Sequence, residues 1–418
     1  MTYGLVGRHL KHSFSKMIHE SFEKYKYELI EVEPESIDDF FLNPRFNAVN
    51  VTIPYKQIAY KHCDVLDDKA KAIGAVNCVV NKDGILKGTN TDYNGIVYTF
   101  DKHNIHLKDK KVLIFGKGGA SKAFQAVCKD QGAKEVQVVY YKEANDTISY
   151  KDAYTKYKDA DIIINATPAG MYPKLDELSI ELNHFTQLEF VFDAIYNPLQ
   201  TQLIRLSKEK QIPCANGLAM LVYQAVRAAS FFLSEEVECD PQKLIEDITM
   251  SQRNVVLIGM PSAGKSMIGA GIRDGLGLPF YDLDKELEKK YNRIIADIFN
   301  TEGEAYFRDL ETEIVKEFAG KTGSILSCGG GVILREENMK YLSLNGTIIY
   351  IRRPLENLMR KNADRPVLNQ GIENLYNRRK DLYESYSNFI LENDDTIARA
   401  VDDAIHYLLS KQSIEHLL

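Results

Sequence analysis

Residues 259–266 read GMPSAGKS, and their types and spacing are those of a loop that binds phosphate groups. In the pattern G-x-x-x-x-G-K-[ST], backbone N–H groups at a helix N-terminus cradle phosphate oxygens, the lysine reaches the β- and γ-phosphates, and the hydroxyl coordinates Mg²⁺. The strand pattern NVVLIG precedes the loop and the helical pattern MIGAGIRDGLG follows it, which is the context that the motif requires. The sequence therefore predicts an ATP site formed by Gly259, Ser262, Ala263, Gly264, Lys265 and Ser266.

Two carboxylates follow the phosphate loop in FYDLD, at Asp282 and Asp284. Their spacing of two residues would place both on one side of a strand end that faces the phosphates. One carboxylate could hold a hydrated metal ion, and the other could orient or deprotonate an attacking hydroxyl group. This stretch therefore favours phosphoryl transfer to an alcohol.

Arginines and glycines further along the chain could bind the molecule that receives the phosphate. Arg308 lies in EGEAYFRDLE, Arg365 in ADRPVL, and Arg379 in NRRKDLYESY, which has a helical pattern. Three consecutive glycines follow a strand in CGGGVI at 328–333. Guanidinium groups bind carboxylates through two parallel hydrogen bonds, and a glycine triplet lets the backbone approach a ligand closely. Together, and in this order, these features are specific to one kind of kinase.

In this order the motifs of residues 253–418 resemble those of shikimate kinase. That family follows its phosphate loop with D-x-D, F-R-x-x-E, GGG, R-P-L/V-L and R-x-x-L-Y, and this chain contains each of them. The resemblance implies that Asp284 is catalytic and contacts the hydroxyl groups of shikimate. It also implies that Arg308, Gly330 and Arg379 bind this substrate, the two arginines through its carboxylate.

The same resemblance implies roles at the nucleotide. Arg365 would close over ATP, and Asp282 would act with Ser266 at Mg²⁺. Two departures from the family pattern leave these roles in place: Met267 follows the loop serine where Thr is common, and Cys328 precedes the glycine triplet where Thr is frequent. Another small P-loop kinase, acting on gluconate or a nucleotide, is the alternative.

A second glycine-rich turn, FGKGGASKA at 115–123, follows the strand pattern KVLIF and opens a helix. Such a turn lets the backbone approach the pyrophosphate of a dinucleotide at the helix N-terminus. Its pattern is G-x-G-G-A-S rather than the full G-x-G-x-x-G. The predicted cofactor contacts are Gly116, Gly118, Gly119, Ala120 and Ser121.

Candidate proton donors and hydrogen-bonding groups occur on both sides of this turn. NVTIPYK (50–56) ends a strand and presents a lysine, and GTNTDYNG (88–95) presents a carboxylate. Reduction of a carbonyl by hydride needs a proton donor, which a lysine paired with a carboxylate can provide. The candidates are Lys56 and Asp92 for the proton, the hydroxyl groups of Ser13, Ser15 and Thr52, and the amides of Asn77 and Gln224.

These segments resemble shikimate dehydrogenase from residue 1 to about residue 250. The family motifs S-x-S, N-V-T-x-P-x-K, G-A-V-N, N-T-D-x-x-G, G-x-G-G-A-S, N-A-T-x-x-G-M, D-x-x-Y-x-P and G-x-x-M-L-V-x-Q-A occur here in that order. The resemblance implies that Lys56 and Asp92 are the catalytic pair. It places five further residues around the substrate: Ser13, Ser15, Thr52, Asn77 and Gln224.

One departure concerns the choice between NADP and NAD. After the second strand of the nucleotide-binding fold, relatives that prefer NADP usually have N-R-T, whose arginine binds the 2′-phosphate, whereas this chain has Tyr140-Tyr141-Lys142. No acid stands at the strand end to bind the ribose of NAD, although Glu143 is near. Lys142 could bind the phosphate, so we expect NADP as the cofactor.

Short apolar strands alternate with amphipathic helices along the chain, which predicts parallel sheets covered by helices and an α/β fold class. The resemblances imply an α/β substrate domain at 1–108 plus about 215–250, a Rossmann domain at 109–214 and a P-loop kinase domain at 253–418. The apolar helix 218–233 is expected to pack back onto residues 1–108. A closing helix should begin with Asp240 as N-cap and Pro241, leaving only about 250–253 as a linker.

Composition limits the remaining possibilities. The 418 residues carry a net charge of −7 and no basic cluster, which argues against a nucleic-acid partner. Six widely spaced cysteines without CxxC fit reduced thiols, and no apolar run approaches the ~18 residues of a membrane span. We therefore expect a cytoplasmic protein. The two resemblances imply small-molecule partners, 3-dehydroshikimate and shikimate, and NADPH, ATP and Mg²⁺ as cofactors.

Two consecutive reactions on one polypeptide form the leading hypothesis: reduction of 3-dehydroshikimate to shikimate, then phosphorylation of shikimate. These are successive steps towards aromatic amino acids, so each resemblance strengthens the other. Two alternatives concern the first 250 residues. They could oxidise quinate or shikimate with NAD, or they could be an inactive regulatory binding module fused to an active kinase.

Overall fold

The computed structural model of the chain describes residues 2–10, 13–142, 144–172, 174–178, 180–360 and 366–418. It contains two compact units, Met1–Asn197 with Thr201–Ile245 and Pro198–Gln200 with Glu246–Leu418. Its three sheets are mostly or wholly parallel and carry helices between most successive strands, which confirms the α/β fold class. Within the described ranges, no helix has both the length and the apolar character needed to cross a bilayer.

The first sheet of the first unit has the strand order β2-β1-β3-β5-β6-β4. Its strands are β1 Tyr3–Gly7, β2 Tyr27–Glu31, β3 Ala48–Val51, β4 Val65–Leu66, β5 Cys78–Lys82 and β6 Ile85–Thr89. The helices around it are α1 Ser15–Glu20, α2 Ile37–Leu42, α3 Lys56–His62, α4 Asp68–Ile73 and α5 Asp92–Lys102. Only β5 pairs antiparallel with its neighbours, and the hairpin β5–β6 turns at Asp83-Gly84, where both residues have positive φ. This is the conformation that Asp-Gly favours in a two-residue hairpin loop.

A five-stranded parallel sheet follows, with the order β11-β10-β9-β7-β8. Its strands are β7 Lys111–Phe115, β8 Glu135–Val139, β9 Ile162–Asn165, β10 Phe190–Asp193 and β11 Cys214–Ala215. The helices are α6 Gly119–Asp130, α7 Tyr150–Lys156, α8 Gln202–Glu209 and α9 Leu218–Leu233. The strand order reverses at β7, and in open parallel sheets the carboxyl ends of the strands at this point form the ligand crevice.

Helix α9 returns to the first sheet, as the sequence predicts. It packs along α5, and its residues Ala228 and Phe232 share a buried cluster with Leu5, Tyr27 and Cys78. The continuous apolar character of LAMLVYQAVRAASFFL therefore serves burial on more than one side. This packing closes the first sheet with a segment that is distant in sequence.

The second unit contains one parallel sheet with the order β13-β14-β12-β15-β16. Its strands are β12 Asn254–Ile258, β13 Phe280–Asp282, β14 Ile325–Ser327, β15 Gly346–Arg352 and β16 Phe389–Glu392. The helices from this region are α10 Pro241–Gln252, α11 Lys265–Leu276, α12 Leu283–Tyr291, α13 Ile295–Thr301, α14 Gly303–Ala319, α15 Glu336–Ser343, α16 Leu355–Arg360, α17 Pro366–Tyr386, α18 Ile397–Leu409 and α19 Gln412–Glu415. All residues of the central strand β12 are buried, as is usual where helices cover both faces of a sheet.

Three expectations differ from the structure in detail. Helix α10 is capped by Asp240, but it continues to Gln252, so the expected linker at 250–253 is mostly helical. The pattern VQVVYY predicts a strand over 136–141, but β8 ends at Val139, which leaves Tyr140–Lys142 in a loop. The expectation that Asp284 lies at a strand end is wrong, because β13 ends at Asp282 and Asp284 belongs to the first turn of α12.

Candidate active sites

Lys56 and Asp92 are in direct contact, with 2.5 Å between Lys56 Nζ and Asp92 Oδ2. Each is the first residue of a helix, α3 and α5, and both side chains are largely shielded from solvent. A buried ionic group is costly without a partner of opposite charge, and this contact provides each of the two groups with one. The pair can therefore deliver a proton to an oxygen placed beside Lys56.

The Asn77 amide holds the Asp92 carboxylate from the other side and belongs to a wider hydrogen-bonded group. Asn77 Nδ2 donates to Asp92 Oδ1 at 2.8 Å, and Asn77 Oδ1 accepts from the Thr91 N–H at 2.7 Å. Gln224, from α9, accepts from Thr91 Oγ1 at 3.3 Å and from Asn77 Nδ2 at 3.5 Å. The structure thus gathers the predicted residues Lys56, Asp92, Asn77 and Gln224 into one hydrogen-bonded group.

Ser13 and Ser15 form a second group, and Thr52 lies apart from it in the contacts that the structure shows. Ser13 Oγ donates to Ser15 Oγ at 3.1 Å and accepts from the Ser15 N–H at 3.2 Å. Ser13 also shares a hydrogen bond with the buried hydroxyl of Tyr196, whose ring lies 5.2 Å from that of Phe14. Thr52 follows β3, and its N–H donates to Val6 O at 2.9 Å.

The glycine-rich turn lies beside the lysine of the pair. Gly116 has φ +112°, and a Cβ built on Gly119 would lie 3.1 Å from the Lys56 Cδ atom, so the turn follows the lysine stem closely. A Cβ on Gly118 would meet nothing within 4 Å. The predicted contacts Ala120 and Ser121 lie in the first turn of α6, where backbone N–H groups have no acceptor within the helix. This open, donor-rich turn fits the pyrophosphate of a dinucleotide.

Lys142 lies in the exposed loop after β8, with its Nζ atom 5.1 Å from the centre of the Tyr141 ring. β8 pairs in parallel with β7, so this loop starts next to the glycine-rich turn.

Asp193, at the end of β10, accepts hydrogen bonds from Thr201 Oγ1 at 2.6 Å and from Asn165 Nδ2 at 2.9 Å. Burial raises the pKa of the Asp193 carboxyl to about 6 despite these bonds.

In the second unit, the phosphate loop joins β12 to α11. Its left-handed residues are Gly259, Ser262 and Gly264, with φ of +147°, +64° and +101°. The buried Lys265 ammonium donates to the carbonyls of Gly259 at 2.9 Å and Met260 at 3.0 Å, and Ala263 O accepts from Asn393 at 2.7 Å. Burial lowers the pKa of Lys265, the usual effect of removing an ammonium group from water.

Two acidic side chains flank this loop but face different partners. Asp282 caps α12, and its Oδ2 atom accepts from Ser266 Oγ at 2.7 Å. Asp284 points at the glycine triplet, since a Cβ on Gly329 would lie 2.6 Å from Asp284 Oδ1. Burial, and then the neighbouring Asp282 charge, raise the pKa of Asp284.

Magnesium suits the hydroxyl and carboxylate oxygens of Ser266 and Asp282. Mg²⁺ usually keeps several waters and phosphate oxygens beside only one or two protein ligands. In the described part of the chain, no three His, Cys, Asp or Glu side chains gather as a closed metal site. Such a pair of oxygens therefore fits an ion that arrives with a nucleotide.

The glycine triplet is surrounded by the predicted substrate residues. A Cβ on Gly331 would collide with the Arg308 guanidinium group, and Arg308 Nη1 donates to Glu311 Oε2 at 2.8 Å. Arg379, on α17, donates to Gly330 O at 3.0 Å. Glu311 Oε1 and Arg308 Nε are buried without a hydrogen-bond partner among the described residues, as happens where a polar ligand is missing.

Some contacts were not anticipated, and one predicted residue cannot be placed. Thr91 and Tyr196 lie inside motifs recognised in the sequence, N-T-D and D-x-x-Y-x-P, but were not singled out as site residues. The same holds for Tyr383, whose hydroxyl donates to Gly330 O at 2.5 Å. Arg365 lies outside the described residues.

Comparison with known families matches both parts of the chain. Residues 5–79 match the model of the shikimate dehydrogenase substrate binding domain, and residues 261–409 match that of shikimate kinase. The two matches cover the catalytic lysine candidate in the first unit and most of the sheet of the second. They agree with the two resemblances seen in the motifs.

Relatives agree over the first part of the chain. The NADP(+) shikimate dehydrogenase of Clostridium beijerinckii is 36% identical over 242 residues, which are 54% of this chain and 89% of that protein. Shikimate dehydrogenase 1 of Peptoclostridium difficile is 32% identical with a TM-score of 0.54, covering 59% of this chain and 96% of that one. A chorismate mutase/shikimate 5-dehydrogenase fusion protein of Clostridium acetobutylicum is 33% identical with a TM-score of 0.54 and the same coverage. The chain therefore belongs to the shikimate dehydrogenase family and carries a shikimate kinase domain behind it, so that two enzymes share one polypeptide.

Proposed function

We propose that the chain reduces 3-dehydroshikimate to shikimate with NADPH and phosphorylates the shikimate with MgATP. The observation that carries the proposal is the Lys56–Asp92 contact of 2.5 Å. In the same chain, the glycine triplet lies against Pro261 of the phosphate loop and is contacted by Asp284, Arg308 and Arg379. One unit thus offers a proton donor beside a dinucleotide turn. The other offers a carboxylate and two arginines beside a nucleotide loop.

In the reduction, Lys56 is the proton donor. Its ammonium group, held by Asp92, gives a proton to the carbonyl oxygen, which becomes a hydroxyl group. Bound NADPH supplies the hydride that the carbon receives. Because the Lys56 stem runs along Gly119, the proton donor and the dinucleotide turn lie side by side, as the reaction requires.

Substrate recognition in this unit uses the two hydrogen-bonded groups. Asn77, Gln224 and Thr91 can exchange hydrogen bonds with the ring hydroxyls near the proton donor. Ser13 and Ser15 bring two hydroxyl donors together, which suits the carboxylate of the substrate. Thr52 would complete the contacts from the end of β3.

In the second unit, Asp284 is the group that receives the proton of the attacking hydroxyl. Its raised pKa favours proton acceptance over that of an ordinary exposed aspartate. Arg308 and Arg379 bind the carboxylate of shikimate beside Gly330, and Lys265 exchanges its loop carbonyls for phosphate oxygens. Bound MgATP supplies the phosphoryl group, and Arg365 would close over it.

Domain limits and cellular location complete the proposal. We assign the substrate domain to 1–108 plus about 215–250, the Rossmann domain to 109–214 and the kinase domain to 253–418. We further propose a cytoplasmic location, supported by six cysteines that are all free thiols. Small molecules, rather than nucleic acids or membranes, would be its partners.

One set of reactions tests the function directly. The full chain is incubated with 3-dehydroshikimate and NADPH alone, NADH alone, or either cofactor with MgATP, and products are separated by chromatography. We expect shikimate with NADPH alone and shikimate 3-phosphate when MgATP is added. Shikimate alone as added substrate, with MgATP, should yield the phosphate without any nicotinamide cofactor.

The alternatives predict other products. NADH-driven turnover, with quinate oxidised by NAD, would replace the first half of the proposal by the quinate enzyme. Absence of any reduction at high cofactor concentration, with normal phosphorylation, would leave a binding module in front of a kinase. The names of the relatives, which specify shikimate and NADP(+), support NADPH-dependent formation of shikimate rather than either alternative.

A further inference from the structure

The loop after β8 and the glycine-rich turn after β7 each carry an exposed lysine, Lys142 and Lys117. We propose that these two lysines together bind the 2′-phosphate of NADPH, so that a two-loop lysine clamp replaces a single arginine as the determinant of cofactor choice. The inference rests on the proposed function and deepens it. It adds Lys117 and the Tyr141 ring to a site for which the sequence suggested Lys142 alone.

The backbone fixes where the two lysines start. β7 and β8 are parallel neighbours in register, with Phe115 beside Val139, so the segments that follow them leave the same edge of the sheet side by side. The loop after β8 is closed at its base, because Tyr140 N–H donates to Ile148 O at 3.0 Å and Ile148 N–H donates to Val138 O at 2.8 Å. This closure at the base keeps Tyr141 and Lys142 close to the edge of the sheet from which the turn also starts.

A side chain connects the turn to the loop. The ammonium group of Lys117 donates to the backbone carbonyl of Asn145 at 3.0 Å, three residues beyond Lys142. Lys117 therefore leans over the loop rather than pointing away from it. An ammonium group has three donors, so the bond to Asn145 leaves two for a phosphate.

Lys142 has its own support. Its Nζ atom lies 5.1 Å from the centre of the Tyr141 ring, within the range of a cation–π interaction. A hydrogen bond from Lys142 is the main cause of a lowered pKa of the Tyr141 hydroxyl, followed by a bond from Tyr140. The exposed ring of Tyr141 thus positions the ammonium group and offers a flat face beside it.

The charges around the loop favour a phosphate over a free ribose. Among the described residues, no carboxylate lies within ion-pair distance of either Lys117 or Lys142. Tyr140 directly follows β8, at the place where an NAD-binding protein would use an acid to hold the ribose hydroxyls. Two cations on neighbouring loops attract the dianionic 2′-phosphate, a group that NADP(H) carries and NAD(H) lacks.

Calorimetric titration of the full chain with NADP⁺ and with NAD⁺ tests the clamp, with saturating MgADP present to occupy the phosphate loop. Lys117→Ala and Lys142→Ala should each weaken NADP⁺ binding about tenfold, and the double variant more strongly. NAD⁺ binding should change by less than about twofold in every variant. NADP⁺ affinity of the parent should also fall more steeply with added salt than NAD⁺ affinity.

Matched variants separate the clamp from a structural effect. Lys129→Ala removes an exposed lysine near the other end of α6 and should leave both affinities unchanged. Lys117→Arg, which keeps the charge, should retain most of the NADP⁺ affinity. An unchanged NADP⁺ affinity in Lys117→Ala, or an equal loss for NADP⁺ and NAD⁺, would overturn the inference and leave Lys117 as a brace of the loop. Failure of the proposed function would appear differently, as absence of NADPH-dependent reduction in the unmodified chain.

Discussion

The two candidate sites differ in what their charged groups touch before any ligand arrives. In the first unit, Lys56 and Asp92 already contact each other, and the buried Asn77 amide holds the carboxylate in place. In the second unit, the cations are bound to groups that a ligand would have to displace. Lys265 donates to two loop carbonyls, and Arg308 is paired with Glu311.

The difference follows from the chemistry that each site would perform. A proton donor for hydride transfer must have its charge partner in every step, so a permanent lysine–carboxylate contact is an advantage. Phosphoryl transfer instead requires several cations to gather on phosphate and carboxylate groups, and lone cations in a buried site are costly without a substitute partner. The carbonyls and Glu311 provide that substitute. The first site is preassembled, whereas the second is satisfied by exchangeable partners.

The largest effect is expected from removing the Lys56 ammonium group, the proton donor of the first site. Lys56→Ala should lower NADPH-dependent reduction by a factor of about 100 or more, because no other group can supply the proton from that position. Phosphorylation of added shikimate should remain unchanged. The measurement is the initial rate of NADPH oxidation beside the rate of ADP formation. Lys61→Ala, at the end of the same helix, should affect neither rate, and loss of both activities in Lys56→Ala would contradict the division into two sites.

Removing an exchangeable partner should act on affinity instead. Arg379→Ala should raise the KM for shikimate by about 10- to 100-fold, since a charged hydrogen bond to the carboxylate is lost. The KM for ATP should change much less, and the reductase should be unaffected. The neighbouring exposed Lys380→Ala is the matched control. Equal increases in both KM values would contradict the assignment of Arg379 to shikimate binding.

A smaller change should distinguish a positioning residue from a binding residue. Tyr383 and Arg379 both donate to Gly330 O, and Tyr383 packs on the Tyr350 ring at 5.0 Å. Tyr383→Phe keeps this packing and loses one neutral hydrogen bond, so the KM for shikimate should rise about threefold. kcat should stay nearly constant. A larger loss in kcat than in KM would show that Tyr383 acts on the reacting groups rather than on the glycine carbonyl.

The smallest expected effect concerns the buried carboxyl group of Asp193 in the first unit. The folded protein holds the Asp193 proton more tightly than the unfolded chain, because burial raises its pKa from 3.8 to about 6. Its contribution to stability is therefore present at low pH and is lost as pH rises through about 6. In Asp193→Asn this loss is absent. The Tm of the variant minus the Tm of the parent should therefore increase by roughly 5 °C between pH 4 and pH 7. Near-UV circular dichroism can follow it, and a pH-independent difference would contradict the assignment.

Much of both sites could be predicted because their motifs are local. GMPSAGKS carries its strand, turn and helix within one short stretch, and the left-handed φ at Gly259 and Gly264 explains why glycine stands there. Lys56 and Asp92 are far apart in sequence, but each begins a helix directly after a turn that follows a strand or hairpin. The first residue of a helix after a turn can be recognised from the local sequence pattern. The contact between two such residues cannot be recognised in this way.

Contacts between distant segments were the part that the pattern could not provide. Asp284 was expected on a strand, but the capping of α12 by Asp282 ends that strand two residues earlier. The partnership of Lys117 with Asn145 depends on the shape of the loop after β8, which no local spacing encodes. Tyr196 was visible within a motif, but only the fold brings its hydroxyl to Ser13.

Neither compact unit is an uninterrupted stretch of sequence, since Pro198–Gln200 is grouped with the second unit and α10 contains the transition at Ile245–Glu246. A gene truncated at any single codon would therefore leave one product short of residues that belong to it, or would split a helix. Anyone wishing to obtain the reductase and the kinase as separate polypeptides should expect poor yields from simple truncation. Point variants that silence one activity at a time are the safer instruments.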